Sequence, residues 1–220
     1  MEILLLSSFI ILFNLVIFIK FETISKFFIF FDKPDGKLKK HKDSVSIIGG
    51  LIILLNLYLI IFILKILDLN SIIFAGNFSY IILILGTLFF VIGFIDDLKN
   101  LSPNIKLILI IISICLVTLF FTEIKLEHIK ISFLRHFYSF EGFSFIFIIL
   151  AFALLTNALN MFDGINLQLI CFSLFIFLIF ILKGFLPIFF SLISISFIFL
   201  GLLKYKNKVF IGDGGCYLIS

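Results

Sequence analysis

Charged residues are scarce, making up 14% of the 220-residue chain, and no block of it is polar enough to form a separate water-soluble domain. With 63% hydrophobic residues and a mean hydropathy of +1.34, that scarcity excludes an ordinary soluble globular domain. Proline-, glycine- or serine-rich linkers are missing, and so is any internal repeat. The opening MEILLLSSFIILFNLVIFIK has neither a basic leader nor a small-residue cleavage site, so it reads as a retained first span. Cys115, Cys171 and Cys216 stand in apolar segments without metal-like spacing, which suits packing residues. What remains is an all-α, polytopic membrane helix bundle forming a single domain over 1–220.

Crossing hydrocarbon takes about 17 to 25 residues without a stranded charge. Seven candidates emerge, at roughly 3–19, 46–64, 78–95, 107–121, 143–159, 167–182 and 185–203, several of them short enough to rely on snorkelling lysines at their flanks, with an eighth starting near Ser220. Lys183-Gly184 before Pro187 is a turn signal that makes the sixth and seventh a helical hairpin. Counting crossings puts 20–45, 96–106, 160–166 and 204–213 on one side, which then holds twelve of the seventeen basic residues. The excess marks that side as cytoplasmic.

Four polar clusters fall on this same face: DKPDGKLKKHKD at 32–43, Asp96-Asp97, the segment NALNMFDGIN from Asn157 to Asn166, and Gly212-Asp213-Gly214-Gly215. Each has a plain structural reading. The aspartate pair fits a wetted helix end beside Lys99, and the lysine run fits a solvated or lipid-facing loop. Asn157, Asn160 and Asp163, three residues apart on a helix, also fit hydrogen-bond glue between helices. Asp213 fits a turn, although flanking glycines also let backbone amides approach a phosphate. His41 gains weight only from its place among the other clusters.

The combination is more informative than any member. Carboxylates, carboxamides, glycines and lysines on one face suit a hard cation together with a phosphorylated ligand. That pairing points to phosphoryl transfer. Neighbouring helical residues point about 100° apart, so Asp96 and Asp97 need not share a role.

In order and spacing these motifs resemble the polyprenyl-phosphate N-acetylhexosamine-1-phosphate transferases. DKPDGKLKKHKDSVSIIGG is similar to the family's first cytoplasmic loop, GFIDDLKNLSPNIKL to its aspartate-pair motif, NALNMFDGIN to its Asn/Asp motif and FIGDGG to its late Gly-Asp motif. The resemblance covers nearly the whole chain. It implies transfer of sugar-1-phosphate from a UDP-N-acetylhexosamine to polyprenyl (undecaprenyl) phosphate, releasing UMP, with Mg2+, or Mn2+ as the alternative ion. Asn160 and Asp213 would hold the cation, and Lys106 would contact the nucleotide diphosphate. Asn166 would lie near the uracil, while His41, Asn157, Asp163 and Gly212 complete the expected substrate site. Asp96 and Asp97, the expected catalytic pair, would position or deprotonate the lipid phosphate. Positioning is favoured, because a phosphate monoester's second ionisation lies near pH 6 and needs no strong base.

The resemblance further implies a multi-pass protein of the bacterial inner membrane with its active face in the cytoplasm, membrane lipid and a second copy of the chain as partners, and no nucleic acid. Asn166, where peptidoglycan-precursor members usually have aspartate, is more similar to the branch serving O-antigen, lipopolysaccharide or teichoic acid. Two departures stand out. Ser44-Val45-Ser46 occupies a place where the family tends to have prolines, and members continue past the Gly-Asp motif into a loop whose His and Arg residues hold the sugar nucleotide. The 220-residue chain thus reads as C-terminally incomplete, and by itself it is expected to show little or no transfer; robust turnover would refute this. Two rival classes remain, a transporter and a non-catalytic membrane relative. Against transport, midspan polar residues are few, chiefly Asn14 and Asn56.

Overall fold

The computed structural model describes residues 2–28, 31–32, 45–69, 73–74, 76–121, 126, 128–130, 137–139, 142–163 and 167–220. Nine helices and two small hairpins occupy this described part. They are α1 (Glu2–Ile19), α2 (Phe21–Phe28), β1 (Phe31–Asp32), β2 (Val45–Ser46), α3 (Gly49–Ile66), α4 (Phe78–Lys99), α5 (Pro103–Phe120), β3 (His128–Lys130), β4 (Phe137–Ser139), α6 (Ser144–Asp163), α7 (Gln168–Leu182), α8 (Pro187–Tyr205) and α9 (Gly212–Ile219). The protein is an all-α polytopic membrane bundle, as the apolar composition requires.

Every apolar stretch expected to span is helical, but the lengths differ in an informative way. Helices α3, α4, α5, α6 and α8 are long and apolar enough to cross a membrane. Helices α1 and α2 meet that test only as a pair bent by 72°, and α7 has 15 residues. Two helices overrun the expected span ends, α4 past the aspartate pair to Lys99 and α6 past Asn160 to Asp163. Asp96, Asp97, Asn160 and Asp163 therefore lie in last helical turns instead of loops. A helix can carry carboxylates there because its end emerges from hydrocarbon. Large apolar side chains such as Leu4, Phe62, Leu119, Leu154 and Leu182 stand exposed, a surface suited to lipid.

The segment 122–142 contains the antiparallel β3–β4 pair with His128 opposite Ser139. The ends of the basic first loop are also pinned. Strands β1 and β2 pair antiparallel, and Ser46 forms a parallel bridge to Val209 just before α9.

Asn14 and Asn56 face each other between α1 and α3, both buried. Each amide donates to the other's carbonyl oxygen, at 2.7 and 3.1 Å, and to the backbone carbonyl four residues earlier. Interhelical glue is thus supplied here by two asparagines outside the Asn157 row. The pair leaves neither amide free for a transported solute. In a double-mutant cycle with Asn14→Leu and Asn56→Leu, thermal unfolding in detergent is expected to show coupling of about 1 kcal/mol. Strictly additive losses would contradict a direct pair.

Candidate active site

The site begins where α4 stops. Asn100 adopts a left-handed conformation (φ 49°), which asparagine tolerates better than most residues, and Pro103 then starts α5 at a position where a missing N–H costs nothing. Asp96, 2% exposed, folds back on this turn: its Oδ1 accepts the Leu101 N–H at 2.9 Å, and its Oδ2 pairs with the Lys106 ammonium on α5. One carboxylate thereby ties the turn to both helices it joins.

Asp97, one residue on, points elsewhere, as the helical geometry anticipates. Its Oδ1 accepts the Asp213 N–H at 2.9 Å and its Oδ2 the Gly214 N–H at 3.0 Å. These are first-turn amides of α9, which lack partners within their own helix and form its positive end. Asp97 therefore caps α9 from a different helix. Gly212, at φ 73°, makes the sharp entry, and a side chain there would strike Asp97 Oδ2 at 2.7 Å. The amides that the sequence offered to a phosphate are occupied by this carboxylate.

Backbone contact holds α9 in place on its other sides. The Gly49 and Gly50 N–H groups at the start of α3 donate to the carbonyls of Phe210 and Ile211 at 3.0 and 2.9 Å, and Phe210 donates to Ser46 at 2.8 Å. Gly50 and Gly93 lie so near α9 that an added Cβ would stand 2.4 Å from the Gly215 nitrogen and 2.3 Å from the Asp213 carbonyl oxygen. Only glycine permits that approach.

A second ion pair closes the arrangement. Lys204 in the last turn of α8 is 2% exposed and bonds to Asp163 Oδ1 at the end of α6. Asp163 is also close enough to Asp97 to act on it electrostatically. Sequence reading used Lys204 only for sidedness. Nothing in a lysine near a helix end signals that it will be buried.

Asp96, Asp97, Lys106, Asp163, Gly212 and Asp213 are thus brought together at one end of the bundle. Asn160 is half-buried one turn before the end of α6, whereas Asn157 is exposed; among the described residues neither makes a side-chain hydrogen bond. His41 and Asn166 lie outside the described residues.

The donor set suits a hard cation. Asp96 and Asp213 face the Lys106 ammonium and Asp163 the Lys204 ammonium, and with Asp97 the four carboxylates outnumber the two lysines. At the polar start of α9, outside the five long spans, burial pushes the Asp213 carboxyl up to about 8, assisted by a hydrogen bond with Asp96 and the charges of Asp97 and Asp96. A nearby divalent cation would relieve that frustration. Among the described residues no three His, Cys, Asp or Glu side chains form a ready metal cluster. Magnesium does not require one, since it takes one or two carboxylates and completes its shell with water and substrate phosphate.

No curated protein matches the chain. The family model of glycosyl transferase family 4 matches residues 79–220, which span the aspartate pair, Lys106, the Asn/Asp motif and the start of α9. Multiple apolar helices, acidic and basic side chains gathered at one end and a family match over more than half the sequence agree, and the chain belongs to glycosyl transferase family 4, whose members transfer a phospho-sugar to polyprenyl phosphate.

Proposed function

We propose that the protein transfers N-acetylhexosamine-1-phosphate from a UDP-sugar to polyprenyl phosphate, releasing UMP and starting a cell-envelope glycan at the cytoplasmic face of a bacterial inner membrane. The observation that carries this reading is the meeting of Asp96, Asp97, Lys106 and Asp213 at one end of an apolar bundle. A lipid phosphate anchored by its tail would reach such a place without leaving the membrane. Its oxygen attacks the phosphorus that carries the sugar, the bond from that phosphorus to the bridging oxygen breaks, and UMP leaves with the electron pair. The sugar keeps its own bond to phosphate.

Asp213 and Asn160 are the residues assigned to hold Mg2+, which when bound would supply charge neutralisation along the diphosphate. Lys106 supports the same task as a compact point charge, and it reaches the cluster from a separate helix. Asp97, with both oxygens engaged by α9, suits positioning better than proton removal. The acceptor phosphate is largely dianionic at neutral pH and does not call for a base.

The test is release of UMP from UDP-N-acetylglucosamine, and then from other UDP-N-acetylhexosamines, by the purified protein with undecaprenyl phosphate, measured on the 220-residue chain and, since little or no transfer is expected of that chain by itself, on a version extended to the natural C-terminus of its gene. Release is expected to require Mg2+ or Mn2+ and to fall by roughly 100-fold or more in Asp213→Asn. No release with any UDP-hexosamine, or release untouched by that substitution, sinks the reading. Substrate-driven flux across sealed vesicles without UMP release would favour transport instead.

A further inference from the structure

Lys106 does more in this structure than wait for a nucleotide. Its ammonium pairs with Asp96 Oδ2 and stands 3.9 Å from Asp213 Oδ2, so it reaches carboxylates on both α4 and α9. Asp96 cannot turn away without giving up the Leu101 N–H. Asp97 offers no substitute oxygen, because both of its own accept α9 amides. Asp163 is held by Lys204. Beside the Asn160 carboxamide assigned above, the carboxylate oxygens that face Lys106 are the ones open to competition from a cation. The side chains of Lys106 and Asp213 are 23% and 28% exposed against 2% for Asp96, so an arriving ion meets the cluster from the Asp213 side.

A lysine ammonium and a divalent cation seek the same oxygens, and the two repel each other at such distances. We propose that Lys106 is a built-in counter-ion that stands against the Asp96 and Asp213 carboxylates in the ligand-free protein and is displaced by the divalent cation toward the substrate's diphosphate. The inference rests on the cation-dependent reading above. It assigns one residue two successive partners, first the carboxylates and then phosphate oxygens. Cation and nucleotide binding become linked through it, since each favours the displaced position of the lysine. Without Lys106 the cation meets less competition, but its binding no longer prepares the site for the nucleotide.

Mn2+ binding to the detergent-solubilised protein, followed by electron paramagnetic resonance without substrate, tests this directly. Lys106→Met is expected to bind Mn2+ at least about tenfold more tightly than wild type, while Lys106→Arg stays near wild type. Uridine diphosphate binding, strengthened by Mn2+ in wild type, is expected to lose that enhancement in Lys106→Met. Size-exclusion and thermal-unfolding profiles identify folded samples, and Lys106→Gln replaces the Met variant if that one does not fold. Unchanged or weaker Mn2+ affinity in a folded, lysine-free variant overturns the counter-ion role while leaving the cation reading intact. Mn2+ binding absent from wild type and variant alike overturns both.

Discussion

Gly93→Ala is expected to abolish measurable transfer, with a fall of roughly 100-fold or more, and to lower unfolding stability by about 3 kcal/mol. The reason is a collision that no side-chain rotation can relieve. An added Cβ would sit 2.3 Å from the Asp213 carbonyl oxygen, 2.5 Å from its carbon and 2.6 Å from the Gly214 nitrogen, all of them backbone atoms. Helix α9 must then back away from α4, stretching both bonds from its amides to Asp97 and moving Asp213 from Lys106. Gly86→Ala, two turns earlier on the same helix, is the control. Its Cβ would meet only the ends of Leu218 and Leu57 side chains, at 3.0 and 3.4 Å, which can shift. It should change stability by less than about 1 kcal/mol and leave UMP release within about twofold of wild type. If Gly93→Ala behaved like Gly86→Ala, α9 would not depend on this approach.

Asp97→Asn separates two accounts of the aspartate pair. The substitution keeps the shape, turns one acceptor into a donor facing an α9 amide and removes the negative charge at that helix's positive end. Thermal stability in detergent should fall by about 1–3 kcal/mol along with activity, and Asp97→Glu should also lose both because the longer side chain displaces its acceptors. A proton-abstracting role predicts another pattern, in which kcat drops and its pH dependence changes while the melting profile stays fixed. A variant that melts like wild type yet has lost kcat would return Asp97 to the chemistry.

These two residues show where sequence reading succeeds and where it stops. The aspartate pair stands out in FIDDLKNLSP, because two carboxylates closing an apolar run violate the pattern around them. The difference between them does not. Asp96 finds its partners nearby, at Leu101 and Lys106, whereas Asp97 finds them more than a hundred residues away on α9. Gly93 carried only the faint signal of an isolated glycine one turn before the pair. Lys204 gave none at all, and its burial against Asp163 changes it from a sidedness marker into part of the charge cluster.

The sequence by itself determined the medium, the number of apolar segments, and the residue types gathered toward one face, since the cost of placing charge in hydrocarbon leaves the polar positions few and conspicuous. Tertiary structure alone decided which carboxylate caps a helix, which pairs with a lysine and which asparagines bind helices together. Helices that are apolar on every side carry no stripe to say which neighbour they will meet, so those assignments exist only once close backbone contact at Gly50 and Gly93 has seated α9 between α3 and α4.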